Sequence, residues 1–213
     1  MEMGHAFELY AGCAGIALTM FASATWWRIK SKARHQLELL NLERNVPSAR
    51  DGLLLSALVI DVVSGDGPVM SSAPWLGELW VIIDAIVAEQ GLKKVGTYLN
   101  TYMAAAPDFR IAEEALLRTA LTALDIRDAI QLFVATGGLS VESKFGINAD
   151  IIPTVGLGST VALSELWNIT MNLAENAEPN SIQLSDTASK WLGPNFDIEQ
   201  LGEHPVLFTR KSA

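Results

Sequence analysis

The apolar positions of this chain come in long blocks separated by glycine, proline and serine. Leu9 to Trp27 carries no charge, and "HQLELLNLERN" follows with Leu37, Leu40 and Leu42 among charged neighbours until Pro47. Further blocks are "ARDGLLLSALVIDVV" after Ser48, "SSAPWLGELWVIIDAIVAEQG", "LKKVGTYLNTYMAA", "FRIAEEALLRTALTAL", "IRDAIQLFVAT", "LSVESKFGINADII" and "STVALSELWNITMNLAENAE". At a helical period each is predicted as a helix with legible ends. Ser48 and Ser72 serve as N-caps, Pro74 stands in a first turn, Gly91 is a stop, and "SGDGPV", Pro107 and 153–158 are breakers. With no run taken to alternate at period two over a useful length, the expected fold class is all-α. After Glu178 the periodicity is lost. Residues 179–213 are expected to be a tail or an arm held by Trp191, Leu192, Phe196, Leu201, Val206 and Phe208.

The first block is long enough to matter on its own. Nineteen residues as a helix reach about 28 Å, close to the roughly 30 Å hydrocarbon thickness of a bilayer. A secretory leader places its cations before the apolar segment, whereas Glu2, His5 and Glu8 precede this one and Arg28, Lys30, Lys32 and Arg34 follow it. Residues 9–27 are therefore predicted as a single transmembrane helix, with 1–8 outside and the basic helix 28–47 in the cytoplasm. Trp26 and Trp27 would lie at the headgroup level, and the four cations would hold anionic lipid. Ala11, Gly15, Thr19 and Ser23 recur at every fourth position, a small-residue face suited to packing against a second copy or another membrane subunit. The expected location is a bacterial-type inner (cytoplasmic) membrane, with the helical domain 48–178 inside. The expected partners are the lipid bilayer and other membrane-protein subunits.

Charge sharpens this picture. Setting aside the four cations at 28–34 and the acids Glu2 and Glu8, fifteen cations become eleven and twenty-four acids become twenty-two, a net of −11 for the remainder. Such a surface repels phosphate backbones, so nucleic acid is not an expected partner. Cys13 is the single cysteine, which excludes an internal disulfide and a cysteine zinc site. His5, His35 and His204 offer no pair at helical spacing for a metal or a general base. "GLGST" at 156–160 precedes a helix but lacks the lysine of a phosphate loop, which leaves Ser159 as a cap. Asp61, Glu78 and Asp84 interrupt apolar blocks, either as a solvent face or as a carboxylate cluster reaching Asp66 across the turn. Trp75, Trp80, Trp167 and Trp191 are core residues or anchors of a protein interface. No catalytic grouping emerges and no cofactor is expected, so the chain reads as a non-enzymatic adaptor or structural subunit of a membrane assembly.

Two segments share a layout of apolar helix, glycine turn and amphipathic helix. They are the stretch around Asp66 and Gly67, and the stretch around Gly138, Leu139, Ser140 and Glu142. Over roughly Leu53 to Glu175 this resembles the duplicated helical repeat of the TerB-like family, found in tellurite-resistance proteins and in the cytosolic region of the membrane-anchored co-chaperone DjlA. The resemblance implies an internally duplicated helical domain. If the family's acidic positions bind metal, Asp66 and Glu142 carry them over, which gives an alternative function as a metal-linked stress-response protein. The second turn has Gly137 where the family carries its aspartate, and "EHPV" at 203–206 supplies no aspartate for a chaperone-recruiting loop.

Overall fold

The computed structural model describes residues 53–64, 73–106, 112–152 and 158–211, all within the compact unit Ala49–Ala213. The fold is mixed α/β, not all-α. Along the chain run β1 (Leu53–Ser64), α1 (Pro74–Glu89), β2 (Lys93–Tyr98), β3 (Thr101–Ala106), α2 (Ala112–Gly137) and β4 (Val141–Ile152). They are followed by α3 (Gly158–Asn176), β5 (Ile182–Leu184), α4 (Asp186–Leu192), β6 (Phe196–Leu201) and β7 (His204–Arg210). The seven strands form one sheet in the order β2-β3-β1-β4-β5-β7-β6. Every pairing is antiparallel except β4 with β5. A parallel pair needs a crossover, and α3 supplies it.

Three blocks predicted as helices are strands, each for a different reason. "LLLSALVIDVVS" is the interior strand β1, paired with β3 on one side and β4 on the other. Ala57, Leu58, Val59 and Ile60 are all buried, because helices cover both faces of the sheet. A strand buried on both faces shows no alternation and is distinguished from a buried helix only by its β-branched content. "LKKVGTYLNTYMAA" is the β2–β3 hairpin, closed by the two-residue loop Leu99-Asn100. Leu99 has φ 53°, a left-handed conformation that hairpin loops usually assign to glycine or asparagine, so the ordinary turn signal is missing. "VESKFGINADII" is β4, and here the period of two is present. Val141, Ser143, Phe145, Ile147 and Ala149 alternate with Glu142, Lys144, Gly146, Asn148 and Asp150.

The helices at Pro74–Glu89 and Gly158–Asn176 occur where the sequence puts them. Pro74 starts α1, which is preceded by Ala73 with no side-chain cap, and Gly91 follows its end at φ 77°. The two helices predicted on either side of Asp125 are one, α2. Asp125 opens nothing: it lies buried within the helix, and its Oδ2 accepts a hydrogen bond from Gln90 Nε2 at 2.8 Å. Within 179–213 Leu192, Phe196 and Val206 enter the core, whereas Leu201 and Phe208 are exposed.

Register assigns the two faces of the sheet. Ile60 opposes Tyr102 and Phe145, and Leu58 opposes Ala104 and Ile147, so these side chains share one face. α1 lies over that face, since Tyr102 reaches its Asp84. The opposite face carries Val59, Asp61, Thr101, Lys144, Gly146 and Asn148. α3 lies over it, with Asn148 Nδ2 donating to the Leu166 carbonyl at 3.3 Å. The close approach of α3 depends on Gly146, because a Cβ there would collide with the main chain at Thr170 and Ala174.

Among the described residues no helix is long and apolar enough to cross a membrane. The predicted span at 9–27, its small-residue face at Ala11, Gly15, Thr19 and Ser23, and the interfacial set Trp26, Trp27, Arg28, Lys30, Lys32 and Arg34 lie outside the described residues.

Candidate functional site

The carboxylates weighed from sequence fall in separate places. Asp66 is outside the described residues, and Glu142 stands on β4 opposite Val63 instead of opening a helix. Glu78 is exposed on α1. Asp84, also on α1, accepts a hydrogen bond from the Tyr102 hydroxyl at 2.6 Å and pairs with Lys94 at 3.0 Å. Because adjacent residues of a strand face opposite ways, this Tyr102 cluster and Asp61 are on opposite sides of the sheet. Trp75, Trp80, Trp167 and Trp191 are all half-buried, and Trp80 packs on Tyr102 with ring centroids 5.6 Å apart. Among the described residues no three or more His, Cys, Asp or Glu side chains gather into a metal-holding group.

Asp61 is the carboxylate with the most developed surroundings. It sits near the end of β1, opposite Thr101 on β3 and Lys144 on β4, and is partly buried. The hairpin tip folds against it. The Asn100 side-chain Nδ2 donates to Asp61 Oδ1 at 2.7 Å and to the Val62 carbonyl at 2.8 Å. Thr101 Oγ1 donates to the same Asp61 Oδ1 at 3.2 Å. The Val62 amide donates back to the Asn100 carbonyl at 3.0 Å, which locks the turn to the strand. Burial pushes the Asp61 carboxyl above its ordinary range. The Thr101 hydrogen bond and the Lys144 charge oppose that rise, and Glu175 adds to it. Lys144 is held over the same face by α3, where its Nζ donates to the Glu175 carbonyl at 3.3 Å.

This raised carboxyl has a measurable consequence. The folded state keeps its proton to higher pH than the unfolded chain, so ionising Asp61 disfavours folding. The stability of the protein should fall as pH rises from the unfolded Asp value through the raised folded one. Asp61→Asn keeps an oxygen acceptor for Asn100 and Thr101 and removes the titration. Denaturant unfolding of both proteins across the acidic range should show the variant gaining on the wild type as pH rises. A constant difference at every pH would contradict the assignment.

The neighbours of Asp61 are Asn100, Thr101 and Lys144, not the Glu78, Asp84 and Asp66 of the carboxylate cluster that its sequence position suggests. Asn100 is 39 positions away and Lys144 further still, and only the pairing of strands read as helices brings them together.

The class defined by this fold and site is a mixed α/β domain with a partly buried carboxylate, Asp61, near the end of an interior strand, held by Asn100 and Thr101 at a hairpin tip. A family model, the adenylate and guanylate cyclase catalytic domain, matches residues 68–211. The chain belongs to the adenylate and guanylate cyclase catalytic domain family. The match begins after β1, so it includes Asn100, Thr101 and Lys144 but not Asp61. A comparison with curated proteins finds no match.

Solved structures agree on the fold. The guanylyl cyclase domain of the RhoGC fusion protein from the aquatic fungus Blastocladiella emersonii, in a monomeric crystal structure, is 18% identical, with 78% of this chain and 100% of that chain covered and a TM-score of 0.62. The guanylate cyclase domain of RhGC from Catenaria anguillulae, in complex with GTP, is 20% identical, with 76% and 100% covered and a TM-score of 0.55. The adenylyl cyclase CyaB of P. aeruginosa is 10% identical, with 75% and 94% covered and a TM-score of 0.55. These findings overturn the TerB-like resemblance and the all-α duplicated repeat. Membership of a catalytic-domain family likewise overturns the non-enzymatic adaptor and its metal-linked stress-response alternative.

Proposed function

We propose that this chain is a nucleotide cyclase domain that takes a purine nucleoside triphosphate, with the phosphates toward the Asp61 end of the sheet, and that its site is completed by a second cyclase domain. The family match over residues 68–211 carries this reading. Cyclisation joins the ribose 3′-oxygen to the α-phosphorus and expels pyrophosphate, so the site must neutralise a triphosphate and the charge that develops on the leaving group. At the Asp61 end the described residues provide one lysine, Lys144, and no cluster of acids to hold cations. A second cyclase domain would add positive charge to that of Lys144, which supports a shared site. The uncharged segment 9–27 and its basic flank support a place at the cytoplasmic face of a bilayer, beside lipid and other membrane subunits.

The full chain should be expressed in cells without cyclases of their own, alone and together with a competent cyclase domain, and cyclic AMP and cyclic GMP measured. Little product is expected from the chain alone, and more from the pair than from the competent domain by itself. No binding of ATP or GTP in equilibrium dialysis, together with no effect on the companion domain, would remove the proposal.

A further inference from the structure

Two oxygens at the end of β1 face one nitrogen. Asp61 Oδ1 and the Val62 carbonyl oxygen both point at Asn100 Nδ2, from 2.7 Å and 2.8 Å. A carboxylate oxygen and a main-chain carbonyl converging on one point is the start of a donor set for a hard divalent cation, which draws only on oxygens. Here the point of convergence is occupied by an amide whose two protons are both spent on those oxygens. With Asp61 ionised its orientation is not interchangeable: the amide oxygen turned inward would face two acceptors with no proton between them. The place of Asn100 is also fixed by the backbone, through the Val62 amide bond to its carbonyl at 3.0 Å and the two-residue turn it closes.

We infer that the Asn100 amide stands where a divalent cation would otherwise bridge Asp61 and Val62, so this centre holds neither magnesium nor manganese. A nucleotide cyclase is expected to use such cations because they neutralise a triphosphate. The described side chains at this point do not fit one. Asp61 contributes a single carboxylate, one of its oxygens already accepts from Asn100 and Thr101, and among the described residues no group of three or more His, Cys, Asp or Glu gathers anywhere. The inference deepens the cyclase reading, from which the expectation of a cation comes. It assigns Asn100 and Thr101 the work of holding Asp61, and it leaves metal delivery to the companion domain.

Manganese binding, followed by electron paramagnetic resonance and by thermal unfolding, tests this on the full chain without any turnover. The wild type should bind no manganese below millimolar, and its melting temperature should not respond to it. Asn100→Asp removes both protons and sets a second carboxylate against two oxygens. That variant should melt lower without metal, recover when manganese is added, and bind it at least roughly tenfold more tightly than the wild type. Manganese binding by the wild type that disappears in Asp61→Asn overturns the inference. An Asn100→Asp protein with no gain in affinity overturns it as well. Should that variant not fold, the comparison of wild type with Asp61→Asn decides alone. A failed cyclase assay leaves all of these outcomes unchanged, so the two readings stand or fall separately.

Discussion

Gly146→Ala is expected to destabilise the protein by about 3 kcal/mol or more, the upper range for forcing extra volume into a packed interior. Gly146 sits in mid-strand on β4, opposite Val59, under α3. A Cβ there would strike the Thr170 carbonyl oxygen, lie 2.7 Å from the Ala174 nitrogen and touch Leu173 Cβ at 3.0 Å. Two of these are main-chain atoms of a helix, so no rotamer change relieves the clash and α3 must lift as a body. Its φ is not in the left-handed region, so space alone excludes a side chain. Lifting α3 would loosen the Asn148 bond to Leu166 and the Lys144 bond to Glu175, and so would also disturb the surroundings of Asp61. At about 2–4 °C per kcal/mol for a domain of this size, the melting temperature should fall by roughly 6–12 °C. Calorimetry that found no change would show that α3 does not lie this close.

Tyr102→Ala should cost a similar amount, about 3–5 kcal/mol, while Tyr102→Phe should cost only about 1 kcal/mol. Tyr102 is fully buried and joins β3 to α1. Its ring packs on Trp80 and lies 5.1 Å from the Lys94 ammonium, and its hydroxyl donates to Asp84. Most of the loss in the alanine variant is the cavity left by the ring. The hydroxyl contributes one hydrogen bond to a carboxylate that remains partly exposed and can turn to water. Burial, with the Asp84 hydrogen bond, pushes the phenol well above its ordinary range, so no Tyr102 transition should appear in an alkaline titration of the folded protein. Equal losses in the two variants, measured by denaturant unfolding, would put the stabilisation in the hydroxyl instead of the ring.

The amphipathic helices were legible, and the sheet was not. α1 and α3 carry one-sided apolar stripes, although Ala73 instead of Ser72 precedes α1 and Ser159 lies inside α3, whereas β1 is apolar on both faces and looks like either element. β4 did announce itself, since its apolar and polar residues alternate from Val141 to Asp150. The hairpin was hidden by its turn, where Leu99-Asn100 takes a conformation that Asn-Gly would have signalled. Errors in the fold then became errors in the site. Asp61 stands out as an acid interrupting an apolar block, but its partners Asn100, Thr101 and Lys144 are neighbours only through strand register. No local spacing along the chain encodes that arrangement.

β1 is the first strand of the sheet to be synthesised, and both of its partners come later, β3 at Thr101–Ala106 and β4 at Val141–Ile152. At ordinary elongation rates β4 follows on the order of ten seconds after β1. Throughout that interval the most apolar strand of the sheet has emerged without its full set of hydrogen-bonding partners. Nascent chains of this protein should therefore be aggregation-prone until β4 arrives and should engage holdase chaperones through the "LLLSALVIDVV" segment. In this protein the strand that bears Asp61 is also the one most exposed to misassembly during synthesis.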